Sequence, residues 1–172
     1  MNGCGIKRGD GRSGHAGALA TRYRRGVGAV VFNAHGRVLV AERRDTPGAW
    51  QFPQGGIDGD EDPRHAVLRE VQEEIGTTEV AVLAEIDEWL RYDLPQPLQS
   101  RLWRGRYQGQ EQKWFALRFA GSDDSICLDA HPPAEFVRWR WQELYLAPDA
   151  VVDFKRPLYQ VLVERFRCYA EP

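Results

Sequence analysis

The apolar and polar positions of this chain change period as one reads along it, and the changes predict its elements. GVGAVVF (26–32) is a short β-rich run, and RVLVAERR (37–44) sets Val38 and Val40 in alternation. The turn residues NAHG (33–36) lie between them, so the pair reads as a hairpin. In WQFPQGG (50–56), Pro53 and two glycines preclude a regular central strand. From Asp62 the period becomes helical. Val67, Val71 and Ile75 recur every four residues on one face. Asp62 suits the N-cap, Pro63 the first helical position and Gly76 the C-terminal cap. EVAVLAEI (79–86), LRYDL (90–94), QKWFALRFA (112–120) and EFVRWRW (135–141) read as further strands. RLWRGRYQGQEQK (101–113) is basic, lacks apolar periodicity and reads as a long loop. FKRPLYQVLVERFRCYA (154–170) closes the chain as a second helix, with Leu158, Val161, Leu162, Arg165 and Phe166 at helical spacing. Short strands with one helix late in each half predict an α+β fold with a mixed sheet.

Composition narrows the class. The chain has 172 residues, 42% of them hydrophobic and 28% charged, which suits one soluble globular domain. A formal charge of −2 gives no overall attraction to nucleic acid or membrane, so an anionic partner must be drawn by local basic clusters. The three widely spaced cysteines, Cys4, Cys127 and Cys168, argue against a disulfide framework and for a reducing, cytoplasmic compartment. No apolar run reaches the roughly 18 residues of a membrane span. Residues 1–21 are rich in Gly, Arg and Ser and read as a disordered leader, or as the product of a misplaced start site. No feature points to a protein partner.

The candidate chemistry lies in REVQEE (69–74). At about 100° per residue, Glu70, Glu73 and Glu74 fall within an arc of about 100° beside the apolar stripe. Their carboxylates can converge on one point, close to the helix C-terminus, where negative charge is unfavourable. Arg69 is the one basic residue in the block and lies beside Glu73, away from Glu70 and Glu74. Glu61 lies one loop upstream, beside glycines. Two readings are open: a solvated acidic face, or a site for a hard divalent cation, Mg²⁺ or Mn²⁺, held by oxygen ligands.

Counting from Gly55 gives five residues, Glu61, seven residues, REVQEE, one residue and Gly76. This spacing resembles the Nudix box, GX5EX7REUXEEXGU, over residues 55–77, with Thr77 as the one departure. The flanking elements extend the resemblance over about 22–166. It implies the Nudix fold, an α/β/α sandwich with a mixed sheet, and metal-dependent hydrolysis of a nucleoside diphosphate linked to another group. It implies metal ligation by Glu70, Glu73, Glu74 and the carbonyl near Gly55, with Arg69 orienting a box glutamate. WQFPQGGI (50–57), YRRGVGAVVFN (23–33), LRYDLP (90–95) with QKWF (112–115), and VVDFKRPLY (151–159) resemble segments of the bacterial RNA 5′-pyrophosphohydrolases and the related dinucleoside polyphosphate hydrolases. The substrate implied is an RNA 5′ end, with a dinucleoside polyphosphate as the alternative and a non-catalytic nucleotide-binding module as a remote one.

Arg24, Arg43, Arg44, Lys113 and Lys155 would then surround a polyphosphate. By resemblance Arg24, Tyr92 and Lys155 reach phosphate, while Arg44 and Phe154 hold a base. The alternative for Phe154 is a core residue at a helix start, that for Arg43 and Arg44 an exposed strand end, and Trp50 and Phe52 read as core. Glu135, before the WRW strand, is a second candidate beside Glu73 for general base, or a further metal ligand.

Overall fold

Val27–Phe32 is buried without interruption, which is the pattern of a strand covered on both faces. In the computed structural model, which describes residues 23–171, that run is the middle of an eight-stranded sheet. The leader expected over 1–21 lies outside the described residues. Strand β1 (Tyr23–Phe32) pairs in parallel with β7 (Gly109–Phe119), from Tyr23 opposite Gly109 to Phe32 opposite Arg118. The other pairings among the described residues are antiparallel, so the sheet is mixed. β2 (Val38–Arg43) follows β1 through a turn in which the Asn33 side chain accepts from the amides of His35 and Arg37 at 2.9 and 3.0 Å. β5 (Val80–Glu85) and β6 (Leu90–Asp93) border β7, and β8 (Phe136–Gln142) borders β2.

Helix α1 (Pro63–Ile75) covers one face of the sheet, closing over Val27, Ala29, Val31, Phe115 and Leu117. Asp62 caps its start through the Arg64 amide at 2.9 Å, and Gly76, at φ 73°, ends it in the left-handed turn that a side chain disfavours. α4 (Arg156–Phe166), with the short α3 (Ala147–Ala150), covers the other face over Val30, Phe32 and Trp114. Helix, sheet and helix form the expected α/β/α sandwich.

The segment 50–56 departs from expectation. Trp50–Gln51 (β3) pairs with β2 and Gln54–Gly56 (β4) pairs with the central β1. Pro53 lies where the chain changes partner; it has no N–H to give, and its carbonyl accepts from the Ala29 amide at 2.8 Å. Two helices beyond the expected pair also form: α2 (Gln96–Arg101) and α3. Each carries a proline in its first turn, where the missing donor costs nothing. The expected loop 101–113 is a tight turn over Leu102–Gly105, left-handed at Trp103 and Arg104, and then the first part of β7, which starts three residues before the strand read from the sequence. The closing helix is regular only over 156–166, with 3-10 turns at 153–155 and 167–169.

Candidate active site

The buried face of α1 contains a carboxylate. Glu74 is 5% exposed; its Oε2 accepts from the Gln54 amide at 2.8 Å, and its Oε1 has no partner. Burial, and next the Glu135 carboxylate beside it, pushes Glu74 well above the usual carboxyl range. Glu70 lies against β4 at Gly55, where a Cβ would sit inside its carboxyl group. Burial raises Glu70 as well, against the pull of Arg69. Glu73 is more open, its side chain 45% exposed.

Arg69 organises this side of the site. It bonds Glu61 through two nitrogens at 3.0 and 2.7 Å, Glu70 at 2.9 Å, Glu73 at 3.2 Å and the Gly56 carbonyl at 2.9 Å. Its guanidinium holds Glu61 down to about 2. The sequence placed Arg69 away from Glu70. An arginine stem is long enough to cross that angle, and one guanidinium nitrogen serves both Glu70 and Glu73. The expected convergence of three carboxylates on one point is therefore not how the side chains stand. Among the described residues, no three of His, Cys, Asp and Glu are grouped so as to hold a cation. Glu70, Glu73, Glu74 and Glu135 do line one cavity of about 290 Å³. Their oxygen donors and the orphaned Glu74 Oε1 fit a hard divalent cation.

That cavity adjoins a cleft of about 780 Å³, and Glu70, Glu73 and Glu135 line both. Arg24, Tyr92, Phe154 and Lys155 line the cleft, as does Gly55. Arg24 lies against Gly56. The Phe154 ring is 5.9 Å from that of Tyr92 and is half-buried on the cleft wall. Lys155 is buried, 5.2 Å from the centre of the Tyr92 ring, and desolvation, with Arg43 nearby, lowers it to about 7. Two expected contacts stand apart. Arg43 lines the cleft, whereas Arg44 turns outward and donates to the Ala134 carbonyl at 2.9 Å, steadying the loop that carries Glu135. Lys113 points to the α1 side of β7 and donates to the carbonyls of Ile86 and Asp87. Trp50 is half-buried and Phe52 fully buried in the core.

The sequence reading missed a chain of glutamines at the cleft floor. Gln112 donates to Gln110 at 2.8 Å and to Gln54 at 3.1 Å, and Gln54 donates to Gln51 at 3.1 Å. The Gln51 carbonyl oxygen also accepts from Arg43 at 3.3 Å and Lys155 at 3.2 Å. One buried amide thus sets the positions of two cations. Its signal in the sequence was Gln110 and Gln112, polar residues two apart just ahead of the apolar run WFAL. Gln51→Ala is expected to raise KM for a polyphosphate more than it lowers kcat, and to lower stability by about 1–3 kcal/mol through unpaired buried donors. Steady-state kinetics and chemical denaturation would check it; an unchanged KM would remove the positioning role.

The NUDIX domain family model matches residues 22–162. A protein of Acidiphilium cryptum named RNA pyrophosphohydrolase is 54% identical over 90% of this chain and 96% of its own length. One of the same name from Gluconacetobacter diazotrophicus is 51% identical over 87% and 95%. Among solved structures, the E. coli dihydroneopterin triphosphate pyrophosphohydrolase superposes with a TM-score of 0.66 at 20% identity, covering 83% of this chain and 98% of that one. A C. elegans Ap4A hydrolase superposes at 0.61, again at 20% identity, over 84% and 98%. With the box residues gathered around one carboxylate-lined cavity in this fold, the chain belongs to the Nudix family of hydrolases.

Proposed function

We propose that this enzyme hydrolyses a phosphoanhydride at the 5′-triphosphate end of RNA, leaving a 5′-monophosphate. One observation carries this reading: Glu70, Glu73 and Glu135 are shared by the acidic cavity and the cation-lined cleft, so a polyphosphate in the cleft lies against the carboxylates. The two bacterial relatives named RNA pyrophosphohydrolase support the substrate.

Mg²⁺ or Mn²⁺ would be held by Glu70, Glu73, Glu74, Glu135 and the Gly55 carbonyl, where it would neutralise phosphate oxygens and acidify bound water. Arg24, Arg43 and Lys155 bind the non-bridging phosphate oxygens. Arg24 and Arg43 can do so through paired N–H groups, and Lys155 does so as a point charge. Phosphate beside Lys155 restores the proton that burial loosens. Phe154, beside Tyr92, presents a ring face for the first base. Water attacks phosphorus, the anhydride P–O bond breaks, and Glu73 or Glu135 takes the water's proton. Arg69 orients Glu70 and Glu73 rather than touching substrate. A cytoplasmic setting suits such a substrate and agrees with free Cys127 and Cys168. Among the described residues no helix is long and apolar enough to cross a membrane.

Side-by-side turnover of 5′-triphosphate RNA and diadenosine tetraphosphate with Mg²⁺ tests the reading. The expected result is a higher kcat/KM on RNA, releasing pyrophosphate or successive orthophosphates. Cleavage of the dinucleotide to ATP and AMP with no product from RNA would replace it.

A further inference from the structure

Residues 94–110 contain Arg101, Arg104 and Arg106 and no carboxylate, in a chain of net charge −2. All three arginines are exposed, and none forms an ion pair among the described residues. Arg64, Arg140 and Arg167 are also exposed without an ion pair among the described residues, but they lie far apart in the sequence, whereas these three fall within six residues. Arg25 and Arg91 share Glu111, and Arg156 pairs with Asp149 and Asp153. The same segment reaches the cleft, because Leu98, Leu102 and Trp103 line it. Trp103 is half-buried, with the Arg24 guanidinium 5.3 Å from the centre of its ring and Tyr107 edge-on at 6.0 Å. The backbone is left-handed at both Trp103 and Arg104, with φ 47° and 58°, a conformation non-glycine residues resist. That local turn sets the tryptophan at the cleft while the arginine beside it stays exposed.

We infer that this segment binds the nucleotides following the first in a single-stranded RNA, with Trp103 stacking a base and Arg101, Arg104 and Arg106 contacting downstream phosphates. The inference rests on the RNA reading above and deepens it. A free nucleotide or a dinucleoside polyphosphate keeps its phosphates within the cleft. Only a longer chain carries further phosphates out to unpaired arginines on the rim. Aromatic faces accept any base, and arginines contact any backbone, so the surface favours single strands without selecting sequence.

Triphosphorylated RNAs of one, two and four nucleotides, assayed with the wild-type enzyme, Trp103→Ala and a triple Arg101→Gln, Arg104→Gln, Arg106→Gln variant, test the inference. Wild-type kcat/KM is expected to rise with length. Trp103→Ala should lose roughly tenfold on the four-nucleotide RNA beyond its effect on the one-nucleotide substrate, the scale of one lost base stack, and the loss should fall in KM. Trp103→Phe should recover most of it. The triple variant should flatten the salt dependence of the long substrate. Wild-type length dependence in both variants, or an equal loss by Trp103→Ala on every length, would overturn the inference. A wild-type enzyme that cleaves no triphosphorylated RNA of any length would overturn the proposed function, and this surface with it.

Discussion

Glu73→Gln is expected to lower kcat by about three orders of magnitude while leaving the unfolding temperature where it was. The two halves of that result have separate causes. Glutamine keeps the shape of the side chain but can neither accept a proton from water nor offer a negative charge to a cation. Glu73 borders both the acidic cavity and the cleft, so either loss falls at the reacting phosphate. The fold, by contrast, leans little on it. Its side chain is 45% exposed and its ion pair is with Arg69, which keeps Glu61, Glu70 and the Gly56 carbonyl after the change. An exposed ion pair of this kind contributes about 0–1 kcal/mol. Glu135→Gln, measured in parallel, assigns the base: the variant whose pH–rate profile loses its acidic limb carries the proton acceptor. A Glu73→Gln enzyme retaining a tenth or more of the wild-type rate would remove Glu73 from the chemistry.

The helix that carries these groups was legible because its signals are local. Asp62, the Val67-Val71-Ile75 stripe and Gly76 are each read within one or two turns, and the structure uses them as caps and core. The spacing from Gly55 to Gly76 was legible for a similar reason, since a short loop and one helix connect its ends. What escaped was decided across strands. Arg43 and Arg44 are neighbours, and only one can face the cleft. The pairing of β2 with β8 shifts register between Glu42 and Arg43, so counting alternate residues from Val38 does not tell which. Lys113 lies in a strand buried on both faces, where apolar periodicity gives no side. Gln51, Gln54, Gln110 and Gln112 come from two distant segments, and although Gln110 and Gln112 stand out as polar residues two apart, that spacing does not tell that their amides meet those of the other segment.

The repulsion within the acidic block also has a fuller account in the structure. The last turn of α1 contains no basic residue to offset its dipole. Arg69 instead neutralises from one turn back, and it reaches across to Glu61 at the start of the box. Glu74 lies beyond its ion pairs and faces Glu135, buried with one oxygen unsatisfied. The box thus holds one neutralised flank and one that is left in need of positive charge, and the second is where a cation would contribute most.

Gly55→Ala is expected to cut kcat/KM by about a hundredfold and to destabilise the fold by about 1–3 kcal/mol. A methyl group at this position coincides with the Glu70 carboxyl, so one of the two must move. The backbone is poorly placed to yield: Gly55 pairs with Val27 on the central strand, between the Gly26–Gly56 and Gly28–Gln54 pairs. Glu70 must therefore turn away, dragging on Arg69 and leaving the cavity without one of its four carboxylates. The carbonyl of residue 55 and the Gln54 amide that holds Glu74 lie on the same short strand, so the disturbance spreads to the buried carboxylate as well. Shortening the partner separates the steric effect from the chemical one. In Gly55→Ala/Glu70→Asp the smaller acid makes room, and thermal unfolding should recover toward the wild type as a favourable coupling energy, while kcat/KM stays low because the Asp carboxylate no longer reaches the cavity. If Gly55→Ala alone keeps wild-type turnover and stability, Glu70 has room to move without consequence and its place among the reacting groups is lost.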